Sequence, residues 1–456
     1  MNDSDRQQSE QGQQIENSQF DNSQLQLAQA GNNAVSFQNS HDNQVTIRNT
    51  WRLFGAPAPS GVDWNWAKRL LNEKQLPDIR KRLTDTLGRD RHLMPVGLES
   101  QPTWVARSPL EARRRVEVQG DDRGVLDMRQ MLIETFGQDD IKGRLLILGT
   151  PGAGKTTALL SLAEQLAVGA IAQPKTVIPV MFELSTWRKD NQSIEDWLIE
   201  QLYDLHGGNR KAKLYEQWLD QQVLLPLLDG LDELGHTRQV LCTQKLNEFA
   251  LRYPRLVVCC RTREFAQANI KLKSLNGAVR LEPLTDEQIQ TYLETVQQPQ
   301  LWSMIQTRPA LQSLLEPDEM GEPGLLRVPL FITLAAAVCA AEQPFETKAD
   351  LLTLYVQQQL SKDKRESDRR KETDRRDWAF KTLDQEPDCH RTQNTLAWLA
   401  RQLQLRNQVE LLIEQMQPSW LERKRAQRRY RVIWGLIWGL IWGLILGLIL
   451  GLILGL

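Results

Sequence analysis

The sequence is poor in the residues that staple small folds. Five cysteines stand among 456 residues, at Cys242, Cys259, Cys260, Cys339 and Cys389. They are too few for a disulfide framework and show no CxxC spacing. Cys259 and Cys260 end an apolar run and read as buried free thiols. The five histidines form no HExxH pattern, so no structural or catalytic zinc is expected. An excess of either charge is also lacking: 56 Lys and Arg against 57 Asp and Glu leave a net charge of -1. That balance argues against a chain that holds nucleic acid through overall charge, and no nucleic-acid partner is expected. The N-terminus has no apolar stretch of the secretory kind, so the bulk of the chain is expected in the cytosol. Long hydrophobic runs are missing everywhere except at the C-terminal end, which excludes a polytopic membrane protein.

What is present changes character along the chain. Residues 1–50 hold 11 Gln, 8 Asn and 6 Ser and read as a disordered leader. Within it, Asn43–Ile47 has the pattern of a short strand. Residues 51–140 form a helical N-terminal region, with helical stretches at Trp64–Leu71 and Val125–Phe136 and no catalytic motif. From 141 to 300 apolar strand-length runs alternate with helical patterns. The strands are expected at Arg144–Leu148, Val177–Leu184, Val223–Leu228, Leu256–Cys260 and Val279–Leu281. Helices are expected at Thr156–Ala167 and Ser193–Leu205, and another opens at Thr285 and Gln288 with a capping-box pattern. Nearly all-apolar strands between helices predict an α/β fold with a parallel sheet covered on both faces. Residues 301–431 read as helical, with helices at Leu330–Ala341, Ala349–Leu360 and Thr392–Trp420. Inside that region a charged quasi-repeat, Glu366–Lys371 and Glu372–Asp377, reads as a solvated face or linker.

The clearest chemistry lies at Gly149-Thr150-Pro151-Gly152-Ala153-Gly154-Lys155-Thr156, a complete phosphate-binding P-loop pattern. An apolar strand precedes it and a helix follows, which is the context the motif needs. Glycines allow backbone N–H groups to turn inward around phosphate oxygens, and the helix start adds its dipole. Lys155 is then expected on the β- and γ-phosphates, the Thr156 hydroxyl on Mg²⁺, and Thr157 near the α-phosphate. A second carboxylate must help hold the metal. Asp229, at the end of an apolar strand, is expected to do so together with Thr156. Asp232 and Glu233 follow it, and one of them can polarise an attacking water as general base. Arg261 ends the next apolar strand, where ligands of parallel sheets bind. It can stabilise the γ-phosphate, or it can be an ordinary salt-bridge residue. Arg263 is a weaker candidate for the same task.

These blocks together resemble the NACHT domain of the STAND class of P-loop NTPases, in its cyanobacterial or bacterial form. The resemblance rests on GTPGAGKTT and on DGLDE after an apolar strand. Further blocks are Ile178–Trp187, Asp196–Leu202, Cys259–Phe265, Arg280–Leu293 and Leu325–Val338, with Thr395–Leu403 and Leu411–Leu421 beyond. It implies a molecular switch that binds ATP between the NTPase sheet and helical and winged-helix-like subdomains. Such proteins rest closed with ADP and form homo-oligomers with ATP. Many act in signalling, and bacterial relatives are implicated in antiphage defence. By motif, Lys155, Thr156, Asp229 and Arg261 would be the nucleotide and metal set. Pro329 in RVPL would pack near the adenine. Gly230 stands where many other P-loop ATPases carry a catalytic Glu, which implies slow hydrolysis or reliance on Asp232 and Glu233. No LRR, TPR or WD period follows the core, so a ligand-sensing role is either missing or falls to the first 140 residues.

The exceptional run is Ile433–Leu456, which repeats IWGL three times and ILGL three times. As a helix it would be about 36 Å long, enough to span a bilayer core of about 30 Å. Six basic residues and one acid in Glu422–Arg431 would face the cytosol. The tail is therefore expected as a single-pass C-terminal transmembrane anchor with GxxxG packing, on the cytoplasmic face of a membrane. A buried apolar hairpin or a sticky low-complexity end is the alternative. The function expected is an ATP-binding, Mg²⁺-dependent switch with slow ATP hydrolysis, tethered to the membrane through 433–456. The competing classes are a nucleic-acid-linked regulator and a nucleotide-independent membrane scaffold.

Overall fold

A computed structural model describes residues 26–30, 34–38, 44–48, 61–87, 94, 96–105, 128–172, 177–319, 321–340, 344–371 and 382–405, with short pieces within 425–439. The described residues group into two compact units, one ending at Lys364 and one beginning at Arg365.

Three strands lie in the Gln/Asn-rich leader: β1 (Gln26–Ala30), β2 (Ala34–Gln38) and β3 (Gln44–Arg48). They pair antiparallel in the order β1-β2-β3. Disorder was expected for most of this segment, with a strand only near β3. Leu27, Phe37 and Val45 share register across the sheet, as do Gln29, Val35 and Ile47. This period-2 alternation is too dilute to stand out from the surrounding Gln and Asn.

The main sheet has six strands: β4 (Leu98–Ser100), β5 (Arg144–Gly149), β6 (Ile178–Glu183), β7 (Leu224–Asp229), β8 (Leu256–Arg261) and β9 (Gly277–Leu281). Their order is β4-β9-β5-β8-β7-β6. All pairings are parallel except β4 on β9, so the sheet is mixed rather than wholly parallel. Side chains alternate between the two faces of a strand, yet five consecutive residues are buried in each of β5, β6, β7 and β8. Both faces are therefore covered, as the apolar runs require. The helix Lys155–Ala172 follows β5 directly. The helix Ile194–His206 is capped by Ser193, and Asp286–Thr295 carries the full Thr285/Gln288 capping box. The apolar side chains of the helices Pro299–Thr307 and Pro329–Cys339 join the same core, so the core does not stop near 300.

The segment before the sheet is built into it. The helix Trp64–Leu70, a π-helical turn Leu71–Gln75 and the helix Leu76–Leu87 run on without a break. Gln75 at the end of the turn is buried, and its Oε1 accepts from the Met181 N–H of edge strand β6 at 3.2 Å. Its Nε2 lies 3.2 Å from His206 Nε2. Trp66 Nε1 donates to Tyr215 Oη at 3.2 Å, and Arg80 Nε donates to Glu164 on the P-loop helix at 2.9 Å. An edge-strand donor that would otherwise be orphaned is thus satisfied by a side chain.

In the second unit, Arg365 pairs with Glu386 at 3.0 Å and donates to the Pro387 carbonyl. Asp388 caps the helix Cys389–Leu405 through the Arg391 N–H. Among the described residues of 301–405 there is helix and turn but no strand, so the winged-helix-like expectation finds no wing there. The helix Lys362–Lys371 covers the first half of the charged quasi-repeat. Its second half, the Leu411–Leu421 block and most of the basic collar lie outside the described residues.

The C-terminal transmembrane helix is corrected. Among the described residues no helix is long and apolar enough to cross a membrane. The single-pass anchor and the membrane-face location fall with it. Hydropathy alone suggested a span, but a glycine at every fourth position costs a helix about 1 kcal/mol each relative to alanine. Most of the Ile433–Leu456 run lies outside the described residues.

Candidate functional site

Strand β5 ends at Gly149 and the helix begins at Lys155, so the chain must reverse within five residues. Gly152 at φ +82° and Gly154 at φ +91° take backbone conformations that side chains disfavour. Gly152 is also crowded: an added Cβ would lie 2.9 Å from Leu330 Cβ and 3.1 Å from Val328. The Gly152 carbonyl accepts from the Leu330 N–H at 3.2 Å, which ties the loop to the start of the helix Pro329–Cys339. Lys155 Nζ donates to the carbonyls of Gly149 and Thr150, each at 3.0 Å. Burial pushes its pKa down, while Asp232 and Asp229 push it up.

The acids arrive from the next strands. Asp229 ends β7, in register with Glu183 at the end of β6. Thr156 hydrogen-bonds Asp229; burial nevertheless raises this carboxyl above its ordinary range. Gly230 at φ +78° then turns the chain, and an added Cβ would meet the Glu233 carboxyl at 2.9 Å. The turn Leu231–Leu234 carries both remaining acids, and they part company. Asp232 is 5% exposed on its side chain and takes up Arg261. Its Oδ1 accepts from the Arg261 backbone N–H and its Oδ2 meets Arg261 Nε, both at 2.9 Å. Glu233 has no such cation. Burial first, then Asp232, Asp229 and Glu183, push its pKa up to about 7. Arg261 also approaches Glu264 at 3.5 Å.

These groups meet in a cavity of about 720 Å³. Pro151, Gly152, Ala153, Gly154, Lys155, Thr156, Thr157, Asp229, Asp232, Glu233, Arg261 and Pro329 all line it. Gly149 and Thr150 lie behind the wall and contribute carbonyls to Lys155. Arg263 is exposed and does not line the cavity. The wall also includes residues not anticipated: Thr86, Leu87, Met94 and Val96 from the preceding segment, and Tyr292, Leu330 and Thr333. Tyr292 Oη donates to Thr333 Oγ1 at 3.2 Å, and Thr333 donates on to the Pro329 carbonyl. No spacing marks these residues in the sequence.

The arrangement has a phosphate end and an apolar end. Glycine N–H groups, Lys155 and a helix N-terminus suit phosphate oxygens. Thr156 and Asp229 are a pair of hard oxygen donors that suits Mg²⁺, which takes few protein ligands and keeps its waters. Met94, Val96, Leu87 and Pro329 offer an apolar wall for a flat ring. Among the described residues no cluster of three or more His, Cys, Asp or Glu could hold a metal on its own. The donor set thus fits a metal that arrives with phosphate oxygens.

A P-loop between the first parallel strand and its helix, with a carboxylate at the end of a neighbouring strand, defines a P-loop NTPase fold. A more particular likeness comes from the NACHT domain, whose family model matches residues 144–299. Domains of this family are nucleotide-binding modules. No protein of curated function matches the chain. Among solved structures, the Aeropyrum pernix ORC1 protein in complex with DNA overlaps at 14% identity, 59% of this chain, 71% of that chain and TM-score 0.32. The E. coli MS115-1 HORMA:CdnC:Trip13 complex gives 14%, 63%, 90% and 0.28. C. elegans PCH-2 gives 14%, 63%, 72% and 0.24. Likeness this low carries no argument about function.

Proposed function

We propose that the chain is an ATP-dependent switch whose NACHT domain hydrolyses ATP slowly. The supporting observation is the convergence of the P-loop, Asp229, Glu233, Arg261 and Pro329 on one cavity. Lys155 and the loop N–H groups bind the phosphates, and Thr156 with Asp229 holds Mg²⁺. The metal, when bound, neutralises phosphate charge. Glu233 is the general base, because Asp232 is occupied by Arg261 and Glu233 is not. Asp232 positions Arg261, which lines the cavity. Pro329 closes the apolar end. The bond from Leu330 N–H to Gly152 links the P-loop to the helices beyond the sheet, a route by which phosphate occupancy moves those helices. A homo-oligomer is the activated state of this reading. No observation supports a role in antiviral defence.

The switch is tested by the subunit mass of the full chain with ADP and with a slowly hydrolysed ATP analogue. The expected outcome is a larger assembly with the analogue, absent in Asp229→Asn. An identical mass in both nucleotides contradicts the switch.

A further inference from the structure

Beyond the P-loop and its acids, one basic side chain from outside the NACHT match reaches the same end of the sheet. Arg82, on the helix Leu76–Leu87, pairs with Glu183 at 3.1 Å. Glu183 ends β6 and stands in register with Asp229. One turn further on, Thr86 and Leu87 of the same helix line the cavity. The helix cannot drift: Leu76, Ile79 and Leu83 are buried beneath it, and Arg80 is bonded to Glu164 of the P-loop helix.

The charges around that spot are unequal. Glu183 on β6, Asp229 on β7 and Asp232 and Glu233 on the following turn make four carboxylates. Lys155 and Arg261 are the cations within the match, and Arg261 is committed to Asp232. Arg82 supplies the third. The field of Glu183 acts on both Asp229 and Glu233, and that of Arg82 opposes it at Asp229. The pair is not a buried staple, since its side chains are 30% and 40% exposed. Pairs this exposed add little to folding stability. Beside a site for a polyanion, however, each charge acts on the ligand over several ångströms.

We propose that Arg82 is a further cation of the nucleotide site, supplied by the helix ahead of the NACHT domain, and that its balance with Glu183 sets affinity for the magnesium–nucleotide anion. This rests on the nucleotide-binding reading above. It gives the segment 61–87 a direct electrostatic hold on the site, through a positive charge held at a fixed place beside it.

The test is the dissociation constant of Mg-ADP for the full chain, by calorimetry at low salt. Wild type, Arg82→Gln, Glu183→Gln and the double variant are compared, with thermal unfolding to confirm that each is folded. Arg82→Gln is expected to weaken binding about three- to tenfold. Glu183→Gln is expected to tighten it, and the double variant to return near wild type. Raising the salt shrinks both shifts. A pair that merely docks the helix would weaken binding in both single variants. Shifts of the same sign, or no shift in either variant, overturn the inference. Equal binding by wild type and Lys155→Ala would instead remove the nucleotide reading itself, and this inference with it.

Discussion

Glu233→Gln separates the two acids of the DGLDE turn. Glutamine keeps the size of glutamate and removes its ability to take a proton. The environment of Glu233 is built from burial and three neighbouring carboxylates, which push its pKa from 4.5 to about 7. A general base contributes roughly 10²- to 10⁴-fold to a rate, so hydrolysis by Glu233→Gln falls by about that factor. Binding of ATP is retained, because the P-loop is untouched, and with one carboxylate fewer lining the cavity it is expected to tighten rather than weaken. In wild type the base acts when deprotonated, so the rate rises with pH and passes half-maximum near 7. The stability consequence has a definite sign. A carboxyl whose pKa is raised by folding contributes stability that is full below 4.5 and lost as pH rises through about 7. Glu233→Gln escapes that loss, so it gains stability over wild type above about pH 7 and not below 4.5. Single-turnover hydrolysis across this range, beside thermal unfolding at both ends, reads all three effects. A variant that hydrolyses ATP at the wild-type rate would refute the assignment of Glu233. So would a wild-type profile that is flat through neutrality.

Two further outcomes follow from the packing. Gly152→Ala places a side chain at φ +82° and 2.9 Å from Leu330 Cβ. Backbone strain alone costs about 1–2 kcal/mol, and calorimetry should show nucleotide binding lost or much weakened while the fold persists. Gln75→Leu strands the Met181 N–H at the sheet edge, which costs about 1–3 kcal/mol and lowers the unfolding midpoint by several degrees. Retention of the wild-type midpoint would mean that Gln75 does not seal the edge.

Much of the NTPase core was legible because its signals are local. Strands β5 to β8 are buried on both faces and so read as plain apolar runs, and Ser193 and Thr285 sit where helix caps belong. The P-loop needs its glycines for the positive φ angles found at Gly152 and Gly154. What stayed hidden depends on register or on distance along the chain. β4 has three residues and no apolar run, and its placement follows only from pairing with β9. Asp232 and Glu233 are equivalent as letters. The fold distinguishes them by bringing Arg261, 29 residues later, onto Asp232. Gln75 and Arg82 look like ordinary helix-surface residues until the helix meets β6. The tail misled for the opposite reason: its composition spoke loudly for a span, while its spaced glycines weaken the helix that a span requires.

The central claim is that this P-loop holds a nucleotide. The most direct measurement is the dissociation constant of ATP with Mg²⁺ for wild type and Lys155→Ala. Loss of one charge-assisted contact is worth about 1.5–3 kcal/mol, so binding should weaken roughly 10- to 150-fold. Equal affinity in the two proteins would contradict the account.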